Sequence, residues 1–179
     1  MFFKNLAFYI FLALNTATAS ELFQIDKNSE GYTAISVFNY DEDLNISLMR
    51  TTWDGGALSD LSLGLIHLYK GVKFLAGPAF RNKDGNNYGV KVSAERFHSG
   101  FDYNYYINSS FNTIDNDINM VFQLFNKNSN GVELNIGKSS DYKYQNFALN
   151  HKINNKLSLR TGYRINKKDF FVGFSYNTF

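Results

Sequence analysis

The sequence predicts a closed antiparallel transmembrane β-barrel, and three observations carry that expectation. Period-two alternation of apolar and polar residues runs from Tyr32 to the end of the chain, broken by polar segments such as DED, KG, HSG and NN. Tyr, Phe and Trp stand near many strand ends, among them Tyr40, Trp53, Tyr69, Tyr88, Phe97 and Phe101. Amphipathic rings in such places mark the two headgroup levels of a bilayer. Connections also alternate in length, NKDGNN and NSSFNTIDND being long and DED, KG, HSG and NN short. Membrane barrels have long external loops and short periplasmic turns.

Twelve segments read as strands: residues 21–25, 32–40, 44–53, 59–69, 72–81, 88–97, 101–110, 118–125, 131–138, 144–152, 157–165 and 170–179. Several divide into two faces. Tyr88, Val90, Val92 and Ala94 alternate with Gly89, Lys91, Ser93 and Glu95, while Ile118, Met120, Phe122 and Leu124 oppose Asn119, Val121 and Gln123. A water-soluble sandwich would show the same alternation with the faces reversed, and it stands as the alternative fold. A barrel in lipid must close, because an open edge leaves backbone groups unpaired in hydrocarbon, and single-chain bacterial barrels use even strand numbers. Twelve is the expected number. Ten follows if 21–25 is only a lead-in and two arms merge, and eight requires long external extensions. Pro78 in VKFLAGPAFR cannot donate to a ladder, so a bulge is expected at Gly77 and Pro78.

The N-terminus reads as an export signal. MFFKNLAFYIFLALNTATAS carries one charge at Lys4, nine apolar or aromatic residues from Leu6 to Leu14, and the small-x-small exit Ala17, Thr18, Ala19. That run is shorter than the roughly 20 residues of a membrane helix. Cleavage is expected before Ser20, giving a signal peptide at 1–19 and a single domain at 20–179. Removal of Lys4 takes the formal charge of +2 to +1.

Composition excludes several function classes. The chain has no cysteine, so disulfides, thiolate metal sites and cysteine nucleophiles are absent. A near-neutral balance with dispersed Lys and Arg, on an exported chain, argues against nucleic acid as a partner. With 12 Tyr, 18 Phe and one Pro, and no apolar run of membrane-helix length after the signal, the composition fits neither disorder nor a helical membrane protein.

The final strand FFVGFSYNTF ends on Phe179. With the signal at 1–19 and the alternation between, the mature chain resembles bacterial outer-membrane β-barrel proteins of the Gram-negative envelope. The segment LSLGLIHLYKGVKFLAGPAF and the ending VGFSYNTF look faintly like the YfaZ-type small outer-membrane proteins. The resemblance implies residence in the cell outer membrane, contact with outer-membrane lipids and lipopolysaccharide, and use of Phe179 as an assembly signal for the barrel-insertion machinery. The register departs from the usual pattern: Asn177, Ser175 and Gly173 share the parity of Phe179, whereas Phe170, Val172, Phe174 and Tyr176 form the apolar set.

On this alternation the lumen receives Lys73, Arg81, Lys91, Glu95, Asp102, Asn104, Glu133, Lys152, Arg160 and Arg164. These residues suit a porin-like passive channel for small polar solutes. They equally suit a closed structural or interaction barrel whose charges pair with one another. Arg50 and Arg96 share parity with apolar neighbours near strand ends, where a guanidinium reaches lipid phosphate at small cost. A lipid-modifying enzyme is the third alternative. His98 and Ser99 adjoin, but consecutive strand residues point to opposite faces, so no catalytic residue is assigned and no metal or other cofactor is expected.

Overall fold

The computed structural model describes residues 20–40, 42–140 and 142–178. Residues 1–19 and Phe179, read above as leader and assembly signal, lie outside the described residues. The alternating segments form twelve strands: β1 (Ser20–Asn28), β2 (Tyr32–Tyr40), β3 (Leu44–Trp53), β4 (Gly56–Tyr69), β5 (Val72–Asn82), β6 (Asn86–Ser99), β7 (Tyr103–Asn112), β8 (Asp117–Asn126), β9 (Gly131–Lys138), β10 (Lys143–Lys152), β11 (Leu157–Arg164) and β12 (Asp169–Asn177). Each pairs antiparallel with its neighbours in sequence, and β1 pairs with β12 from Leu22 opposite Asn177 to Asn28 opposite Phe171. The sheet is therefore a closed barrel with both described chain ends at one rim, here called the terminal rim. The lead-in 21–25 is a full strand, which decides the count of twelve.

Closure satisfies the backbone; the side chains then separate by parity. Directly opposed residues share a face, so the register can be followed around the wall. Asp26 faces Gly173, Gly173 faces Arg160, and Arg160 faces Asn150. Glu133 faces Gln123, Gln123 faces Tyr106, Glu95 faces Lys73, and Arg81 faces Asp60. This polar set points inward. The alternate set, including Val90, Val92, Ile118, Met120, Phe174 and Leu65, is apolar and exposed on the outside. An inward polar face and an outward apolar face are the reverse of a soluble sandwich.

Two local expectations are corrected. The register of β4 with β5 runs at a constant offset on both sides of Pro78, from Ser62 opposite Ala79 to Leu65 opposite Ala76, with no extra residue. The ladder omits Leu63 and Gly64, opposite Pro78 and Gly77, instead of bulging. Proline lacks the donor, and a Cβ on Gly77 would run into the Leu63 carbonyl, so close backbone approach replaces a bulge. The loop-length alternation is also absent. NKDGNN and much of NSSFNTIDND continue the strands, so the turns opposite the terminal rim shrink to 83–85 and 113–116, similar in length to 100–102 and 127–130.

Single cysteines test the wall direction without native competitors. Spin labels at Val90, Val92 and Tyr103 are expected to be reached by oxygen dissolved in lipid, and labels at Lys91 and Ser93 to be shielded from it. Uniform shielding at all five positions would mean that the apolar set is a soluble core.

Candidate functional site

The inward face carries charge at three levels, and Arg160, Lys73, Arg164 and Arg81 are each held by carboxylates of other segments. Near the middle, the Arg160 guanidinium, only 3% exposed, donates through Nη1 and Nη2 to Glu133 Oε2 and Oε1 at 2.9 and 3.0 Å. It also donates to Asn150 Oδ1 at 2.8 Å and, through Nε, to Asp26 Oδ1 at 3.1 Å. Two small residues make this reach possible. Ala148, 1% exposed and opposite Glu133, lets the pair lie across β10. Gly173 separates Arg160 from Asp26, and a Cβ there would collide with Asp26 itself. Gln123 donates to Glu133 Oε2 at 2.7 Å and Gln24 to Asp26 Oδ2 at 2.8 Å.

Towards the terminal rim, Lys73 Nζ lies 2.8 Å from Glu95 Oε1 and donates to Asn39 Oδ1 at 3.2 Å. The hydroxyl of Tyr106 donates to Glu95 Oε2 at 2.6 Å, and Asn45 Nδ2 donates to Asn39 Oδ1 at 2.7 Å. At the opposite rim Arg164 contacts Asp169 and, at 3.4 Å, Glu30. There too Arg81, 2% exposed, binds three carboxylates: Asp60 at 2.7 and 2.8 Å, Asp115 at 2.8 Å and Asp117 at 3.0 Å. A buried guanidinium is tolerable only when its donors are met in this way. Tyr142, in the turn after β9, has its phenol pushed above its ordinary range, by desolvation first and by the Asp117 carboxylate second.

The other sequence-selected residues fall as follows. Lys91, Asn104 and Lys152 stand on the inward side, Asn104 accepting a hydrogen bond from Ser99 Oγ at 2.9 Å. Lys91 shares a cavity of about 30 Å³ with Asn45, Ser62, Gly64, Leu75 and Ser93. Asp102 is a correction: it lies in the turn after β6, exposed, 3.7 Å from Lys127, and does not line the interior. Its strand begins two residues later than the alternation suggests. Arg50 and Arg96 are on the outward face; Arg50 donates to Ser59 Oγ at 2.8 Å and its buried Nε has no partner among the described residues. His98 stacks outward on Tyr105 at 5.0 Å while Ser99 turns inward, so the two do not meet. No group of His, Cys, Asp or Glu that could hold a metal occurs among the described residues.

Of the five acids that meet the two buried arginines, sequence reasoning found Glu133 and missed Asp26, Asp60, Asp115 and Asp117. Asp60 was legible: it shares parity with Ser62 and Gly64, opposite Leu61, Leu63 and Leu65. Asp26 lay beyond the short lead-in, and Asp115 and Asp117 sat in a segment read as an external loop.

Solved structures of outer-membrane barrels, porins among them, are similar to this chain in fold. The KdgM porin matches with a TM-score of 0.58 at 9% identity, covering 88% of this chain and 98% of its own. Omp33, an outer-membrane protein of Acinetobacter baumannii, matches with a TM-score of 0.58 at 9% identity, covering 89% and 97%. The NanC porin matches with 0.56 at 13% identity, covering 89% and 99%. No protein-family model matches the sequence, and no curated protein does. The likeness is one of fold, to porins of the KdgM and NanC kind and not specifically to YfaZ-type proteins.

Replacing Gly173 by Leu is expected to push Asp26 away from Arg160 and leave a buried charge short of a partner. The cost should be about 3 kcal/mol, read as a lowered denaturant midpoint in detergent micelles. Gly173→Ala should cost less, and an unchanged midpoint for Gly173→Leu would show that the Asp26–Arg160 contact adds no stability.

Proposed function

We propose that this chain is an outer-membrane channel of porin type that passes small polar solutes passively through a narrow lumen. One observation carries the reading: most interior ion pairs and hydrogen bonds join adjacent or next-adjacent strands. Lys73–Glu95, Gln123–Glu133 and Asp60–Arg81 are directly opposed pairs, and Arg160 reaches Glu133 and Asp26 across one intervening strand each. Such contacts lie along the wall. On this reading they leave the axis uncovered, since a barrel of twelve strands has a wider bore than the eight-stranded kind that side chains fill. Three inward side-chain atoms, Asn119 Oδ1, Asn135 Oδ1 and Asn150 Nδ2, are buried with no partner among the described residues, and on this reading ordered water would meet them.

Two contacts span three strands and narrow the bore: Lys73 to Asn39 at the terminal rim and Arg81 to Asp117 at the other. Solutes are therefore selected first by size. KdgM is known in complex with disordered oligogalacturonate, a polyanion. The present interior offers such a molecule little, because Arg81, Arg160, Arg164 and Lys73 are each engaged by carboxylates. The second reading is a closed interaction barrel, favoured by the small cavity of about 30 Å³ beside Lys91. The outward Arg50 and Arg96 are proposed to meet lipid or lipopolysaccharide headgroups near the two membrane surfaces.

Planar-bilayer recording with the folded barrel separates the two readings. The channel reading expects discrete conductance steps, raised when Lys73→Ala removes the narrowing contact with Asn39. Silence in verified, inserted barrels, with Lys73→Ala equally silent, would establish the closed barrel.

A further inference from the structure

The turn between β7 and β8 is built into the mouth of the barrel opposite the terminal rim. β6 extends beyond its last pairing with β7, Lys91 opposite Asn112, and the turn takes over that edge. Thr113 N donates to Val90 O at 2.9 Å, and Val90 N donates to Thr113 Oγ1 at 2.9 Å. Gly89 points inward, in phase with Lys91, and the space its side chain would fill holds Thr113 Oγ1 and Ile114 Cγ1. Ile114, 6% exposed, therefore lies against the inner wall.

Four further hydrogen bonds fix the turn. Ser140 donates to Asp115 O from both its N, at 2.7 Å, and its Oγ, at 2.6 Å. Arg81 holds the Asp115 and Asp117 carboxylates from across the mouth. Asp115 and Asn116 accept left-handed backbone, φ 58° and 47°, to bring this about. A non-glycine pair in that region is costly and persists only where surrounding contacts impose it. The charges then do not balance. Asp60, Asp115 and Asp117 face one guanidinium, and Lys91 on β6, which has no hydrogen bond or ion pair among the described residues, leaves the group one unit negative. At the same rim Arg164 and Lys167 cancel with Glu30 and Asp169, the turns add Lys83 and Lys168 against Asp54 and Asp84, and Lys138 and Lys143 stand on the outward face with Ile118, so the inward excess among the described residues is the one unit of this cluster.

We infer that the inward turn and the Arg81 carboxylate cluster form a filter at this mouth that favours small cations over anions. The inference rests on the channel reading for its transport consequence, though the local preference exists whether or not the barrel conducts. A low-dielectric wall focuses the field of a net charge into the opening, so one unit several ångströms from the path changes ion occupancy about threefold. The filter is the opposite of what a polyanion channel requires.

Two measurements test it on the full-length barrel. In bilayers with a potassium chloride gradient, reversal potentials should show potassium preferred over chloride. Asp117→Asn should lower that preference about threefold and Arg81→Gln should raise it, opposite signs that a general loss of packing would not produce. In parallel, Asn87→Cys places a thiol opposite Arg81 in a chain with no other cysteine. Cationic methanethiosulfonate should modify it faster than the anionic reagent, relative to a free thiol, and adding Asp117→Asn should reduce that ratio about threefold. Chloride preferred in a conducting barrel, or equal reagent rates unaffected by Asp117→Asn, would overturn the filter. A silent barrel that still favours the cationic reagent would overturn the channel reading and leave the filter standing.

Discussion

Closure of β1 on β12 is the constraint on which the rest of the structure depends. In hydrocarbon every strand edge must be paired, so the seam cannot fray without exposing backbone donors and acceptors. The side chains stitch the same seam from within. Arg160 on β11 reaches over Gly173 on β12 to Asp26 on β1, so one ion pair spans both ladders that involve β12. The absence of a side chain at Gly173 is what permits it. Once the seam closes, parity assigns every other residue to lipid or lumen, and the polar set must find partners or water inside.

Those partners come mainly from neighbouring strands, and this has a functional consequence. Charges that pair along a wall stabilise the wall without blocking the axis, whereas charges that meet across the centre would form a plug. The interior uses the first arrangement through its middle and admits longer reaches only towards the rims, at Lys73 and Arg81. On the channel reading, a narrow bore with constrictions near both mouths follows from the placement of long and short side chains. Ala148 and Gly173 matter to it as much as the arginines do.

Much of the fold was legible because alternation is strict wherever one face meets lipid. β6 and β8 separate cleanly, and the bounds of β2, β3 and β9 follow from the alternation. The two faces of β2 are harder to read, since Thr33, Ile35, Val37 and Asn39 face inward while Tyr32, Ala34, Ser36 and Phe38 face outward. Both sets mix apolar and polar residues, and only pairing with Asp26 and Asn45 orders them. Turn lengths misled because Asn and Asp favour loops on average yet also suit the wet, inward side of a strand near its end. The inward arginines were visible from parity. Glu133 and Asp60 were visible in the same way, but which acid meets which arginine was not, since pairing across the barrel depends on strand stagger, which no local pattern encodes.

The claim that wall-hugging ion pairs leave the axis open is tested most directly by vesicle swelling with neutral solutes of graded size, because uncharged probes read bore without charge selection. The account predicts that vesicles holding the folded barrel swell quickly in glycerol, more slowly in a pentose and hardly at all in a trisaccharide. Swelling in glycerol no faster than in protein-free vesicles, with the barrel verified as inserted, would contradict it and mean that the interior is closed.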